Sequence, residues 1–408
     1  NVAVALLDIT NTGSSSRNVT INASSSFATS ASGNELRGTV NAPNTGALTT
    51  VSTRLSGDSM TVNGTSLTRT MSIGPGATTQ AKVQMGWITD EIEESSAEYD
   101  TYKAYDNNTA FATHVQTYNQ WWVDNVPYLD VPDPYVKKIL YYRWWINRFN
   151  SIDGDIPGND WQFPTCVEGA LGYGNIISVS VPWILDDIKY LRNPIYSYGT
   201  WLGAGECAND YAYRDNPGVN GMWNKKMMQY TSRAGWGAYK LHGGPLSMLK
   251  NFAEYAENDI NGQFDTYDGN NNKLIAYSDS TLTGNDGCCP SMNYYSTTGR
   301  EILTERIDAS AYNYGNVVAA AEMYDYMGNT AKAAEMNTLA NTIKTNFVNA
   351  FWSDSADAFL HVDAATGRQS PWKDNNFNGY WMGVVPTNDS KYKEMFRLFN
   401  NSTDYLIF

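Results

Sequence analysis

Over residues 1–80 apolar and polar positions alternate. Val2, Val4, Leu6 and Ile9 form one such run, Val19 and Ile21 a second, and Leu55, Met60, Val62 and Leu67 continue it later. Turn residues punctuate the runs at Asn11-Thr12-Gly13, Ser32-Gly33-Asn34 and Gly74-Pro75-Gly76. Period-2 alternation between turn signals predicts short antiparallel strands, and a series of them predicts part of a β-sandwich. From about residue 100 the period becomes helical. Asp133-Pro134 supplies an N-cap and a first-turn proline, and Val136, Ile139, Leu140 and Trp144 then share a face. Residues 316–327 place Val317, Ala320, Ala321, Tyr324 and Met327 on one stripe, with Gly328 where a C-terminal cap belongs. Met336, Leu339, Ala340, Ile343 and Phe347 continue the period over 331–352, so the two stretches predict an antiparallel helical hairpin. Further helices are predicted at 110–125, 175–192, 225–242 and 245–258. Helical hairpins separated by long aromatic loops predict a helical toroid with a pocket at one end.

Composition sharpens this division. The segment up to residue 80 is rich in Ser and Thr and holds one aromatic residue, Phe27. A mucin-like stalk is the competing reading of that composition, and the regular Val, Leu and Ile positions argue against it. The expected organisation is a β-sandwich segment over 1–85, a linker over 86–110 and the helical domain over 111–408. The whole chain has 408 residues, 42% hydrophobic and 17% charged, the balance of a folded rather than a disordered protein. Its net charge of −14 argues against nucleic acid and anionic membranes as partners. No apolar run is long enough to span a bilayer.

Several features predict an extracellular or cell-surface protein. Asn-x-Ser/Thr acceptor sites occur at Asn18, Asn22, Asn63, Asn107, Asn388, Asn400 and Asn401. Lys is scarce. Four cysteines, Cys166, Cys207, Cys288 and Cys289, fit two disulfides in any of the possible pairings. The chain opens at Asn1 without a Met or a signal-like segment and has the look of a mature or processed product.

The chemistry available is that of carboxyl groups and aromatic rings. The three His, His114, His242 and His361, are far apart, and no HExxH, CxxC, GxSxG or glycine-rich phosphate loop occurs. No metal site is expected from these motifs. Asp265, Asp268 and Asn270 around a glycine turn could ligate a structural Ca²⁺, although the spacing is not that of an EF-hand and an Asx turn competes. His242 is read as a helix-end residue. Acids beside tryptophans suit carbohydrate, because carboxyls serve glycosidic bonds and flat rings take the apolar faces of sugars. Asp160-Trp161, Trp144-Trp145, Trp236 and Trp183 near Asp186-Asp187 are such places. Core packing is the alternative role for these rings.

Four blocks carry a family resemblance. They are Trp121-Trp122 to Asp133 with Tyr141 to Trp145; Asn175 to Pro194; Arg306-Ile-Asp308-Ala-Ser310-Ala-Tyr312-Asn-Tyr314-Gly315 with Phe351-Trp352; and Gly379-Tyr380-Trp-Met-Gly383-Val-Val-Pro386 with Tyr392 and Phe396. In this order, over roughly residues 85–405, they resemble the mannosylglycerate-hydrolase-like (α/α)6-barrel glycoside hydrolases, relatives of the trehalase and processing α-glucosidase families. The resemblance implies a mostly α fold, an (α/α)6 toroid incomplete in this chain, preceded by a β-sandwich. It also implies hydrolysis of O-glycosyl bonds with inversion, and a pocket at one end of the toroid favours action at chain ends. The general acid of such enzymes lies in the loop before Arg306. Asp286 matches best, with Glu301 and Glu305 as competitors and an ordinary turn as the alternative reading of Asp286. Trp144, Trp145, Asp160, Trp161, Trp236, Arg306 and Asp308 would line the sugar site; Asp308 could equally cap its helix. The general base of these families lies in a block after the Pro386 region that is not found before Phe408. A second chain completing the barrel, an acid already named, or a non-catalytic glycan-binding or self-assembling glycoprotein are the readings this leaves open.

Overall fold

The computed structural model describes residues 2–45, 48–88, 92–152, 163–169, 173–208, 211–215, 225–284 and 302–400. The chain divides between Val126 and Pro127 into two compact units. In the first, eight strands follow in order: β1 (Val2–Thr10), β2 (Arg17–Ser24), β3 (Ser30–Ser32), β4 (Glu35–Thr45), β5 (Leu48–Gly57), β6 (Thr61–Asn63), β7 (Ser66–Ile73) and β8 (Thr78–Ile88). One antiparallel sheet has the order β1-β8-β5-β4-β3, the other β2-β7-β6. Alternation puts one face of each sheet inside. Leu36, Leu55, Val83 and Met85 of the first sheet meet Ile21, Val62 and Leu67 of the second in one cluster, and Met71, Ile73 and Ala81 form another with Ile9 and Val19. This is the β-sandwich that the alternation predicts.

Residues 86–110 are not a linker. β8 runs to Ile88, and two helices follow, α1 (Ile92–Ala104) and α2 (Asn107–Asn125). The reason lies on the other face of β8, which carries polar residues that must find partners when buried. Gln84 Nε2 donates to Tyr99 O at 3.0 Å. Lys82 Nζ donates to Tyr102 O at 2.9 Å and Lys103 O at 3.1 Å, satisfying carbonyls at the end of α1. Glu35, Arg54, Lys103 and Asp100 form an ion-pair group beside it. Burial would raise the Glu35 carboxyl, but Arg54 and Lys103 hold it down at about 2.

The second unit is helical. Asp133 Oδ1 accepts from Tyr135 N (2.8 Å) and Val136 N (3.2 Å), so α3 (Pro134–Phe149) starts where Asp133-Pro134 predicts. Then come α4 (Val181–Ile188), α5 (Ile195–Glu206), α6 (Thr231–His242), α7 (Leu246–Tyr267), α8 (Ile307–Tyr326), α9 (Thr330–Phe351) and the short α10 (Asn378–Met382). Helices α3, α4, α6, α8 and α10 pack side by side in that order, while α5, α7 and α9 lie against α4, α6 and α8 as their hairpin partners. This double layer is that of an (α/α) toroid. Gly328 takes φ +77° between α8 and α9, a conformation that favours glycine, and Asn329 Oδ1 caps α9 through Lys332 N at 3.2 Å. Between α5, α6 and α7, the fully buried Trp201 ring stacks on Phe252 at 3.7 Å and 4°. His242 ends α6, its Nε2 2.7 Å from Lys189 O.

Two expectations are corrected. Cys166 and Cys207 are buried, and among the described residues neither forms a disulfide. Cys166 Sγ lies 3.3 Å from Asn147 O, and burial pushes its thiol up to about 12. Cys288 and Cys289 lie outside the described residues. Asn107 is buried and its Nδ2 donates to Ala81 O at 3.1 Å, which removes it as a glycan acceptor. Asn18, Asn22, Asn63 and Asn388 are exposed; Asn401 and the side chain of Asn400 lie outside what is described. No helix among the described residues is long and apolar enough to cross a membrane.

Candidate active site

A hollow of about 450 Å³ opens between α4, α6, α8 and α10, within the size range of small-ligand sites. Helical spacing builds its walls. On α6, Arg233, Trp236, Gly237 and Lys240 recur at intervals of three and four; on α8, Tyr314, Gly315, Val318, Ala319 and Glu322 do the same. Asp186 and Lys189 come from the end of α4, and Trp381 and Met382 from α10.

Two carboxylates and three cations share this space. Asp186 accepts from Lys189 Nζ at 2.6 Å and from Tyr230 OH at 3.1 Å. Glu322 Oε2 accepts from Trp236 Nε1 at 2.6 Å and Lys240 Nζ at 3.1 Å. Arg233 holds the α10 end: Nη1 donates to Met382 O at 2.7 Å and Nη2 to Trp381 O at 2.9 Å. Burial lowers the Arg233 guanidinium from its ordinary value, while Asp186, Tyr230 and Glu322 all act to keep it charged. Burial and the Asp186 charge raise the Tyr230 hydroxyl, which therefore stays a donor. The aromatic wall is continuous. Trp183 meets Trp381 at 5.0 Å, and Tyr230 meets Trp381 at 4.9 Å and Tyr312 at 5.0 Å. Trp183 and Trp381 keep 46% and 41% of their surface open, so apolar ring faces are available beside the charges.

Arg306 and Asp308, at the start of α8, are fully buried and bind each other: Nε to Oδ1 at 3.0 Å and Nη2 to Oδ2 at 2.7 Å. Burial would raise Asp308, but Arg306 holds it below the usual carboxylate range. Oδ1 also accepts from Ala309 N at 2.9 Å, a bond within the first turn of α8, whose N-cap position is held by Arg306 rather than Asp308. His361 Nδ1 accepts from Ile307 N at 3.0 Å, which leaves the ring proton on Nε2, 3.4 Å from Asp374 Oδ2.

The other sequence candidates separate. Trp236 lines the hollow. Trp144 is buried, with Nε1 donating to Asp187 O at 3.1 Å, a core role. Trp145 is exposed and stacks between Tyr142 and Phe149, with ring centroids 5.7 Å from each. Glu305 is buried, and its Oε1 accepts from Asn270 Nδ2 (2.7 Å) and Asn272 Nδ2 (2.6 Å), so this carboxylate acts as an acceptor that pins a loop. In that loop Asp268 accepts from the backbone of Asn272 and Lys273 and from Lys273 Nζ, while Asp265 is exposed on α7. Asn270 and Asp268 thus hold the turn through hydrogen bonds. Among the described residues, no group of three or more His, Cys, Asp and Glu side chains could hold a metal ion. Asp160, Trp161, Asp286 and Glu301 lie outside the described residues. Sequence reasoning missed Arg233, Glu322, Tyr230, Tyr312 and Trp381 as site residues. The stripe Arg233-Trp236-Gly237-Lys240, charged and aromatic at helical spacing, was the signal available.

Residues 285–406 match the family model described as the mannosylglycerate hydrolase MGH1-like glycoside hydrolase domain. That match covers less than a third of the chain, and over it the sequence is similar to the mannosylglycerate-hydrolase-like glycoside hydrolases. Solved structures agree on the fold. A sialidase superposes with a TM-score of 0.54 at 16% identity, over 86% of this chain and 35% of its own. A GH63 mannosylglycerate hydrolase from Thermus thermophilus gives 0.50 at 9%, over 66% and 79%. A protein named as a putative kojibiose phosphorylase from the human microbiome gives 0.51 at 8%, over 98% and 60%. The chain therefore spans about a third of the sialidase it matches. Among the described residues, charged and aromatic side chains converge in the hollow between α4, α6, α8 and α10.

Proposed function

We propose that the protein is a secreted, glycosylated glycoside hydrolase that releases sugars from the ends of oligo- or polysaccharides with inversion. The observation that carries this reading is the hollow itself, where open Trp faces stand beside ionised side chains in a domain whose matched segment includes Asp286. Asp286 donates its proton to the glycosidic oxygen as the bond from that oxygen to the anomeric carbon breaks, with Glu301 as the competing donor. A carboxylate takes a proton from water, and the water oxygen bonds to the anomeric carbon from the opposite face. Asp186 and Glu322 are the described carboxylates that face the hollow; a second chain supplies the base if neither does. Carbohydrate is the partner, and the scheme requires no cofactor. The exposed acceptors Asn18, Asn22, Asn63 and Asn388 support an extracellular location.

One observation favours a second reading, a non-catalytic glycan-binding protein on the same scaffold. Asp186, Glu322, Glu305 and Asp308 are all already engaged by donors. A screen of oligosaccharides, followed by ¹H NMR of the released anomer, separates the two. The hydrolase reading predicts product of inverted configuration that is lost in Asp286→Asn. Binding without product at any substrate supports the second reading and overturns the first.

A further inference from the structure

A hydrogen-bond path joins a buried carboxyl on α7 to the aromatic wall of the hollow. Asp259 is 0% exposed. Its Oδ1 accepts from Tyr213 N at 3.0 Å and its Oδ2 from Gln229 Nε2 at 2.6 Å. The other end of the same amide, Gln229 Oε1, accepts from Thr231 N at 2.6 Å, at the first residue of α6. The Gln229 carbonyl accepts from Asn316 Nδ2 at 3.1 Å, and Asn316 Oδ1 accepts from Arg233 N at 3.2 Å. Arg233 in turn holds the Trp381 and Met382 carbonyls.

We propose that Asp259 is a positioning residue whose protonation state sets the Gln229 amide, and through it the first turn of α6 and the Arg233 clamp on Trp381. Both carboxyl oxygens face N–H donors, the arrangement of an ionised acid. A proton placed along either of these hydrogen bonds sets donor against donor. Rotating the Gln229 amide relieves this by presenting Oε1 to the acid, and it removes the acceptor from Thr231 N. The first turn of α6, which carries Arg233, then loses a tether. Burial raises the Asp259 carboxyl to about 7, which puts the change within reach of neutral pH. The titratable and charged groups facing it are the Tyr213 and Tyr277 hydroxyls and Lys226. The two phenols are themselves raised by burial and stay neutral there.

The significance for substrate rests on the hollow being the sugar site, but the test does not. Near-UV circular dichroism of the full chain without substrate, from pH 5 to 9, reads the Trp183, Tyr230 and Trp381 cluster. The wild type should show one transition with a midpoint near 7. Asp259→Asn, isosteric with the protonated acid, should hold the low-pH spectrum throughout, and Arg233→Lys should lose most of the amplitude. A flat wild-type profile, or a transition that survives in Asp259→Asn, overturns the proposal. If Asp259→Asn does not fold, full amplitude in Arg233→Lys overturns it.

Discussion

Asp259, Asp308 and Glu35 are buried carboxyls that differ in whether a cation hydrogen-bonds to them. Asp259 has only neutral donors on its oxygens, and burial lifts it to about 7. A folded pKa above the unfolded one gives stability that is complete below pH 3.8 and is lost as pH rises through about 7. Wild type should therefore lose on the order of 4 kcal/mol over that window relative to Asp259→Asn, as chemical denaturation at a series of pH values would show; parallel profiles would refute this. Glu35 faces Arg54 and Lys103 and sits at about 2, so the sign reverses. Its contribution is present above pH 4.5 and is lost as pH falls toward 2. Glu35→Gln should cost on the order of 2 kcal/mol at neutral pH, since Lys103 is partly open to solvent, and little at pH 2. Asp308 is also held low by its cation, Arg306. Asp308→Asn would leave that buried guanidinium short of its carboxylate at a cost of about 3–5 kcal/mol in urea unfolding. None of this was legible from residue type alone: Asp308 and Asp259 are both acids in helical stretches, and only the three-dimensional neighbours tell them apart.

At the level of elements the sequence was more informative, because caps and periodicity are local. Asp133-Pro134 marked the start of α3, and Gly328 the end of α8, within a residue or two. The starts of other helices were less well marked. α8 begins at Ile307, nine residues before the apolar stripe that suggested it, because its first turns are buried on several sides and show no period. Likewise α1 falls in the stretch expected to be a linker; its sequence is mostly polar, and the carbonyls at its end accept from Lys82. Helix packing gives the next prediction. A Cβ on Gly235 would lie 2.3 Å from the Trp201 ring, which cannot retreat because Phe252 stacks on its other face. Gly235→Ala should destabilise the protein by about 1–3 kcal/mol despite the better helix propensity of Ala. A higher melting temperature for that variant would contradict the packing.

Across the whole molecule the candidate site is assembled from parts far apart in the chain. Arg233 meets Met382 across 149 positions and Trp236 meets Glu322 across 86, separations that leave no local trace in the sequence. The family likeness was legible because it rests on runs of consecutive residues, such as Arg306 to Gly315, whereas the partners that close the hollow come from four helices. The central proposal is that Asp286 donates the proton to the glycosidic oxygen of the bound sugar. Its most direct test is the leaving-group dependence of turnover by Asp286→Asn. A general acid matters in proportion to how badly the departing oxygen needs a proton. On unactivated oligosaccharides the variant should lose roughly 100- to 10,000-fold in kcat/KM, while on a dinitrophenyl glycoside of the same sugar it should stay close to wild type. An equal loss on both substrates, or no loss on either, would contradict the account.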